Sequence, residues 1–375
     1  MHPLMVTPLY PPATGGAATY FGMVAPELAQ RPEVDWVTVL TERWPDQPGE
    51  STCGKLRILR HLPTRISIPR QNAWAHALSY AHTQLWFARH FPELVRRCKV
   101  DLIHFHTRYR GRLLYAALKR SGVPVIANLH DKMTDPAVLA RVADWLLCCA
   151  RGVQRFAVDG GFPADRIAFI PLPLAAAQML SADHVAALRR RYGLGAAPYL
   201  LFVGDITAAK GVYELLAAYR QWRADPPQAR LVFAGTNREG KWFVRQIQQT
   251  PDTTYVGPVP REDALALMRG AAVVVLPSRS EGLGYAILEA VSLGTKVVGP
   301  PGIPEFESHL RESILPEVNV AAIFRALTAA WARNAPPSYP LSTHNLERVV
   351  SELARLYVRV VRNETDHTGG NYHRR

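Results

Sequence analysis

Glu281 and Glu289 stand eight positions apart in Ser278-Arg279-Ser280-Glu281-Gly282-Leu283-Gly284-Tyr285-Ala286-Ile287-Leu288-Glu289-Ala290. Ala272 to Leu276 is an apolar, β-rich run ended by Pro277, and from Tyr285 apolar residues recur at helical spacing through Leu293. The segment therefore reads strand, loop, helix, with Glu281 in the loop and Glu289 one to two turns into the helix. At about 1.5 Å of rise per residue the carboxylates stand roughly 10 Å apart, a separation suited to two hydroxyl-bearing rings of one ligand, such as a sugar nucleotide. The amides around Gly282, Leu283 and Gly284 open the helix, where its dipole and unpaired donors favour an anion such as a diphosphate. Taken singly, Glu289 also reads as an ordinary exposed helix residue and Glu281 as an acid favoured by the helix dipole.

Further candidates lie at the ends of other strand-like runs. Leu4-Met5-Val6-Thr7-Pro8 leads through Tyr10-Pro11-Pro12 to Thr14-Gly15-Gly16 and then to a helix-compatible stretch, Ala17 to Gln30. A strand followed by glycines that open a helix is an anion-cradling arrangement, although Gly15-Gly16 alone would signal only a turn. Val100 to His106 and Pro124 to Asp131 both place histidines at strand C-termini, where open α/β sheets bind ligands. Alternation puts His104 and His106 on one face and Phe105 on the other. His106, nearer the strand end, is the site candidate; His104 is expected to be packed and hydrogen-bonded. His130 and Asp131 either line the cleft or cap a helix.

The string from Pro277 to Ala290 resembles the retaining glycosyltransferases of family 4, whose signature is Glu, seven residues, then Glu, in a setting like P-S-x-x-E-G-x-G-x-x-x-L-E-A. The resemblance continues into Gly294-Thr295-Lys296-Val297-Val298-Gly299 and Gly302-Ile303-Pro304-Glu305, and matching segments run from residue 4 to about residue 305. It implies that Glu281 holds hydroxyls of the donor sugar, Glu289 the nucleotide ribose, and Gly15-Gly16 approach the donor phosphates and the acceptor. Tyr199 to Gly211 resembles the first strand and phosphate loop of the family's C-terminal domain, with Gly204 and the Lys210-Gly211 pair in place. One departure is Asp205, where the family usually has an arginine that pairs with the diphosphate. An acid beside a diphosphate is repulsive, so either Asp205 points away or another cation contributes, Arg238 and Arg279 being the candidates. A second departure is Ile170-Pro171-Leu172-Pro173 at the domain crossing, where the family often shows Pro-Asn-Gly.

The elements that must position these residues alternate between strand-like and helix-like segments nearly throughout. Strands such as Val123 to Ala127, Leu231 to Ala234 and Val273 to Leu276 read as buried on both faces, which argues parallel sheets covered by helices. With 375 residues and 48% hydrophobic content, the chain is long enough for two cores and is not a disordered protein. The expected fold class is α/β with the GT-B architecture, two Rossmann-like domains with parallel sheets facing each other across a cleft. By the resemblance, residues 1–172 are expected to form the acceptor-binding domain and 173–343 the nucleotide-sugar-binding domain. A final helix, 344–361, is expected to pack back on the first domain, and a disordered tail is expected over 363–375.

Charge and cysteines bound the setting. Lys plus Arg exceed Asp plus Glu by 44 − 31 = +13, and residues 55–120 hold fourteen Lys or Arg against two acids, Glu93 and Asp101. Within that region Trp74, Tyr80, Trp86, Phe87 and Phe91 punctuate a helix expected from about Asn72 to Arg97. Basic residues beside interfacial aromatics suit an anionic membrane surface, unless the aromatics are domain core and the cations a solvated rim. No nucleic-acid motif accompanies the patch, so nucleic acid is not an expected partner. Cys53, Cys98, Cys148 and Cys149 form no C-x-x-C pairs and read as buried free thiols, which fits a reducing cytoplasm. The N-terminal residues lack the layout of a secretory signal, and no apolar run approaches the ~20 residues of a spanning helix. The expected location is cytoplasmic, peripheral at the inner face of the plasma membrane.

The resemblance implies a retaining transfer of a hexose-type sugar from a nucleoside-diphosphate sugar to a hydroxyl of a glycan or lipid-linked acceptor, in cell-surface polysaccharide or lipopolysaccharide assembly. Lys210 and the helix-start amides near Gly284 would stabilise the departing diphosphate. No Asp-x-Asp motif sits in a suitable loop, so no metal and no cofactor are expected, the nucleotide sugar being a co-substrate. Two other classes compete: a non-catalytic sugar-nucleotide or polyanion-binding scaffold, motivated by Asp205, and a nucleotide-sugar 2-epimerase of the same architecture.

Overall fold

Strands of three to seven residues form two sheets in a computed structural model that describes residues 1–63, 73–174, 181–223 and 229–362. The 363–375 tail, Asn72, and Ala175 and Ala176 at the domain crossing lie outside the described residues. One sheet comprises β1 (Pro3–Val6), β2 (Val37–Glu42), β3 (Glu50–Cys53), β4 (Leu56–Leu62), β5 (Leu102–His106), β6 (Val125–Leu129), β7 (Trp145–Cys148) and β8 (Ile167–Phe169). Its order is β3-β4-β2-β1-β5-β6-β7-β8, parallel except for the edge pair β3–β4. The other comprises β9 (Tyr199–Val203), β10 (Arg230–Ala234), β11 (Thr253–Gly257), β12 (Val273–Val275) and β13 (Lys296–Val298). It is wholly parallel, in the order β11-β10-β9-β12-β13.

Every residue of β1, β2, β5, β6 and β12 is buried, as a parallel sheet covered on both faces requires. In both sheets the strand order reverses beside the first strand, between β1 and β5 and between β9 and β12. Crevices at the carboxyl ends of strands at such reversals are where open α/β sheets take ligands.

The chain divides into two units, one of Met1–Ala13, Ala17–Pro173 and Leu346 onward, the other of Leu174–Asn345 with Thr14–Gly16. Thr14–Gly16, placed in the first domain by the sequence, therefore group with the second unit; they lead out of β1 and belong to no sheet ladder. The Leu346–Val361 helix belongs to the first unit and packs against β5, burying Val349, Val350, Leu353, Leu356, Tyr357 and Val360. At about 1.5–3 kcal/mol per fully buried large apolar side chain, this face holds the helix firmly.

The Ala73–Cys98 helix divides the aromatics read as membrane-facing. Phe87 and Phe91 are fully buried core residues, and Trp86 packs edge-on against Phe87. Trp74 is 82% exposed and Tyr80 45%. Three of the four cysteines are buried thiols, whereas Cys53 is exposed because it ends the edge strand β3.

Candidate functional site

In the second unit the exits of β9 and β12 meet at the strand-order reversal. The chain leaves β9 through Gly204, turns through Ala208–Lys210, and enters the Val212–Trp222 helix at Gly211, whose φ of 69° is left-handed. A Cβ on Gly211 would lie 2.1 Å from the Pro277 carbonyl oxygen, so the second loop runs against the first at a distance only glycine allows. The Arg279 amide donates to the Ala209 carbonyl at 3.0 Å. Its guanidinium donates to the Ala208 carbonyl at 2.7 Å and to Glu214 Oε1 at 2.5 Å. Arg279 thus stitches the loops together. Within this frame Lys210 Nζ donates to Glu281 Oε1, so the structure brings together the ammonium and the carboxylate singled out in the sequence.

After Glu281, Gly282 and the buried Leu283 lead to Gly284, a left-handed N-cap at φ 75° for the Tyr285–Ser292 helix. Glu289 lies in the second turn of that helix with its side chain 11% exposed. It is not the exposed helix residue of the alternative reading. Arg261, the first residue of the Arg261–Gly270 helix, donates through a terminal guanidinium nitrogen to Glu289 Oε1 at 2.8 Å. Desolvation raises the carboxyl above the usual glutamate value, and the Arg261 charge and hydrogen bond oppose that rise.

Asp205 is paired with Arg238, Nε to Oδ2 at 3.4 Å, so the acid that departs from the family pattern has a cation beside it. A second acid enters the same loop: Glu239 Oε1 accepts from the Ala208 amide at 2.9 Å, and Tyr213 donates its hydroxyl to Glu239 Oε2.

In the first unit His106 ends β5, and its ring stacks on that of His130 with centroids 4.6 Å apart and planes 18° from parallel. Its Nδ1 accepts from the Arg108 amide at 3.0 Å. Burial, reinforced by His130, Arg108 and His104, holds its pKa well below the ordinary histidine value. A neutral imidazole whose Nδ1 accepts a hydrogen bond carries its proton on Nε2, so His106 is a hydrogen-bond donor rather than an acid. His130 is lowered to about 4 and His104 to about 3 by burial. His104 bonds through Nδ1 to the Tyr357 hydroxyl on the C-terminal helix. Asp131 accepts from the Met133 amide at 2.9 Å in a local turn, and the helix cap nearby is Asp135, so the capping reading of His130-Asp131 fails. Gly15 and Gly16 lie on the connection from β1 to the Gly16–Leu28 helix, with Gly15 at φ 120°.

Sequence reasoning missed Arg261, Glu214, Glu239 and Tyr357. Arg261 stands 28 residues from Glu289 and Tyr357 stands 253 from His104, with no local pattern linking either pair. Among the described residues no three His, Cys, Asp or Glu side chains are grouped to hold a metal ion.

Residues 14–176 match the family described as "Glycosyltransferase Family 4" and residues 197–333 match "Glycosyl transferases group 1". The chain belongs to the family-4 type of glycosyltransferases, and its fold is GT-B. It is 34% identical over 102 residues to glycogen synthase of Mycobacterium tuberculosis, a match spanning 26% of this chain and only a quarter (25%) of that enzyme's length. It is 23% identical over 333 residues to the GDP-mannose-dependent alpha-(1-6)-phosphatidylinositol monomannoside mannosyltransferase of Mycolicibacterium smegmatis, covering 80% of this chain and 81% of the relative. Among solved structures, Alr3699/HepE from Anabaena in complex with UDP-glucose superposes with a TM-score of 0.66 at 16% identity, over 97% of this chain and 98% of that one.

Proposed function

We propose that this protein transfers a hexose-type sugar from a nucleoside-diphosphate sugar to a hydroxyl of a glycan or lipid-linked acceptor, with retention at the anomeric carbon and without a metal. The observation that carries this reading is the loop pair after β9 and β12, which gathers Lys210, Glu281 and the helix start at Gly284 with buried Glu289 one turn further on. Lys210 and the helix-start amides supply positive potential where a departing diphosphate develops charge, the task a metal performs elsewhere. Glu281 is an acceptor for sugar hydroxyls and Glu289 for the ribose. A structural neighbour holds UDP-glucose, and a relative is named for its use of GDP-mannose, so both donor classes are candidates.

The acceptor side is assigned to the first unit, where His106, with its proton on Nε2 and its ring stacked on that of His130, is the proposed hydrogen-bond donor to sugar. An anionic membrane surface is the proposed setting, with the protein on the cytoplasmic face. Trp74, Leu78 and Leu85, at helical spacing on the Ala73–Cys98 helix, are 82%, 70% and 61% exposed, and exposed Arg89 follows on the same stripe. Exposed Arg112, Lys119 and Arg120 lie on the Arg112–Arg120 helix that packs beside it. Among the described residues no helix is long and apolar enough to cross a membrane.

Saturation-transfer NMR against UDP- and GDP-sugars tests the donor site, with Glu289→Ala abolishing the signal. Product NMR then reads the anomeric configuration, and EDTA leaves the rate unchanged. Donor binding with neither transfer nor donor hydrolysis would instead favour the scaffold reading.

A further inference from the structure

Glu289 is nearly buried, yet an ionised carboxylate is the better acceptor for ribose hydroxyls, because hydrogen bonds to a charged acceptor are shorter and stronger than neutral ones. Something must keep it charged. The Tyr285–Ser292 helix packs against the Arg261–Gly270 helix, β12 and β13. β12 is Val273–Val275 and brings no titratable group. β13 brings Lys296, whose ammonium is turned to the backbone carbonyls of Trp331 and Arg333. The Arg261–Gly270 helix brings Arg261, Glu262, Asp263 and Arg269, and of these Asp263 pairs with His184 and Arg191. Arg261 alone among the described cations is within an ion-pair distance of Glu289.

The geometry of the pair is specific. Arg261 occupies Oε1, and among the described residues Oε2 has no hydrogen-bond partner. The Arg261 Nε is buried without a partner, and a terminal guanidinium nitrogen makes the bond to this carboxylate. Arg261 also follows directly on Pro260, at the start of its helix, so its backbone is fixed where the chain leaves β11.

We propose that Arg261 is a positioning residue for the donor nucleotide: by engaging Oε1 it holds Glu289 ionised and in one orientation, leaving Oε2 to accept the ribose hydroxyls. This rests on the assignment of Glu289 to the ribose. Removing the guanidinium leaves a buried carboxylate without a cation, so it takes up a proton at higher pH. Donor affinity, which needs the ionised form, is then lost at higher pH as the solution is acidified.

The test is titration calorimetry of UDP and GDP from pH 5.5 to 8.5 with wild type, Arg261→Lys, Arg261→Gln and Glu289→Gln. Arg261→Gln, which keeps a donor and removes the charge, is expected to weaken binding about tenfold at pH 7 and to move the acid limb up by at least a pH unit. Arg261→Lys restores the wild-type limb, and kcat at saturating donor stays within about twofold, since the effect lies in binding. Glu289→Gln weakens binding and flattens the profile. If Glu289→Gln binds like wild type, the ribose assignment itself fails. If Glu289→Gln weakens binding while Arg261→Gln keeps the wild-type affinity and acid limb, the assignment stands and the role of Arg261 is overturned. Thermal unfolding of each variant shows that the compared proteins are folded, and Arg261→Lys, with its charge kept, supplies the comparison should Arg261→Gln fold poorly: a Lys variant with a raised acid limb also overturns the proposal.

Discussion

Acidification should loosen the first unit long before carboxylates titrate. His104, His106 and His130 lie together behind the ends of β5 and β6, all with pKa values depressed by burial, His104 to about 3 and His130 to about 4. In the unfolded chain each titrates near 6.5. Depressed histidines contribute their stability in full above that value and lose it as the pH falls from 6.5 towards 3–4, because the unfolded state binds the protons first. From pH 7.5 to 5.5 each histidine costs on the order of 1 kcal/mol, so the three together remove a few kcal/mol. A domain has on the order of 5–15 kcal/mol in total. Hydrogen exchange of the β5 amides Leu102–His106, corrected for intrinsic rates at both pH values, reads this loss within the first unit. His104→Phe removes one titrating group and should reduce the pH-dependent loss by about a third. It also strands the Tyr357 hydroxyl, a pH-independent loss of about 1–3 kcal/mol that the comparison of slopes separates. Equal protection at both pH values, or an unchanged slope in His104→Phe, would refute the reasoning.

Three further outcomes are expected. Lys210→Met should lower kcat for transfer by about 10²–10³, since it removes a cation from the leaving group and leaves Glu281 without its partner; a rate within threefold of wild type in a steady-state assay would remove Lys210 from the mechanism. Asp205→Arg should tighten UDP or GDP binding by about tenfold, roughly 1.4 kcal/mol, as read by calorimetry; unchanged affinity would mean that Asp205 points away from the phosphates. Gly211→Ala should destabilise the second unit by about 2–4 kcal/mol in urea unfolding, because its Cβ would sit 2.1 Å from the Pro277 oxygen at a left-handed φ; a loss under 0.5 kcal/mol would show that the loops separate readily.

The fold was legible because its evidence is local. Fully apolar runs such as Val273–Val275 announce strands buried on both faces, and Gly204, Gly211 and Gly284 mark left-handed or otherwise glycine-favouring exits of the backbone. The Glu281 and Glu289 positions were legible for the same reason, since loop and helix follow directly in the chain. Their partners were not. Lys210 was singled out as a phosphate ligand, and its bond to Glu281 spans 71 residues. Arg261 lies in a separate helix, and nothing in its sequence neighbourhood marks it. The helix at Ala73–Cys98 was legible but the division of its aromatics was not: Phe87 and Phe91 are core, while the exposed stripe is carried by Trp74 with Leu78 and Leu85, two leucines the sequence reading did not single out.

The return of the Leu346–Val361 helix makes the first unit discontinuous in sequence, with nearly all of the second unit inserted between β8 and that helix. During synthesis the second unit is therefore almost complete before the first acquires its last element. Until residue 361 has left the ribosome, His104 on β5 lacks the Tyr357 hydroxyl and the first unit lacks the helix that packs against β5. Nascent chains arrested short of that point should expose the first unit's sheet to chaperones and proteases, and a nonsense lesion in the final helix should disable the first unit while leaving the second unit folded.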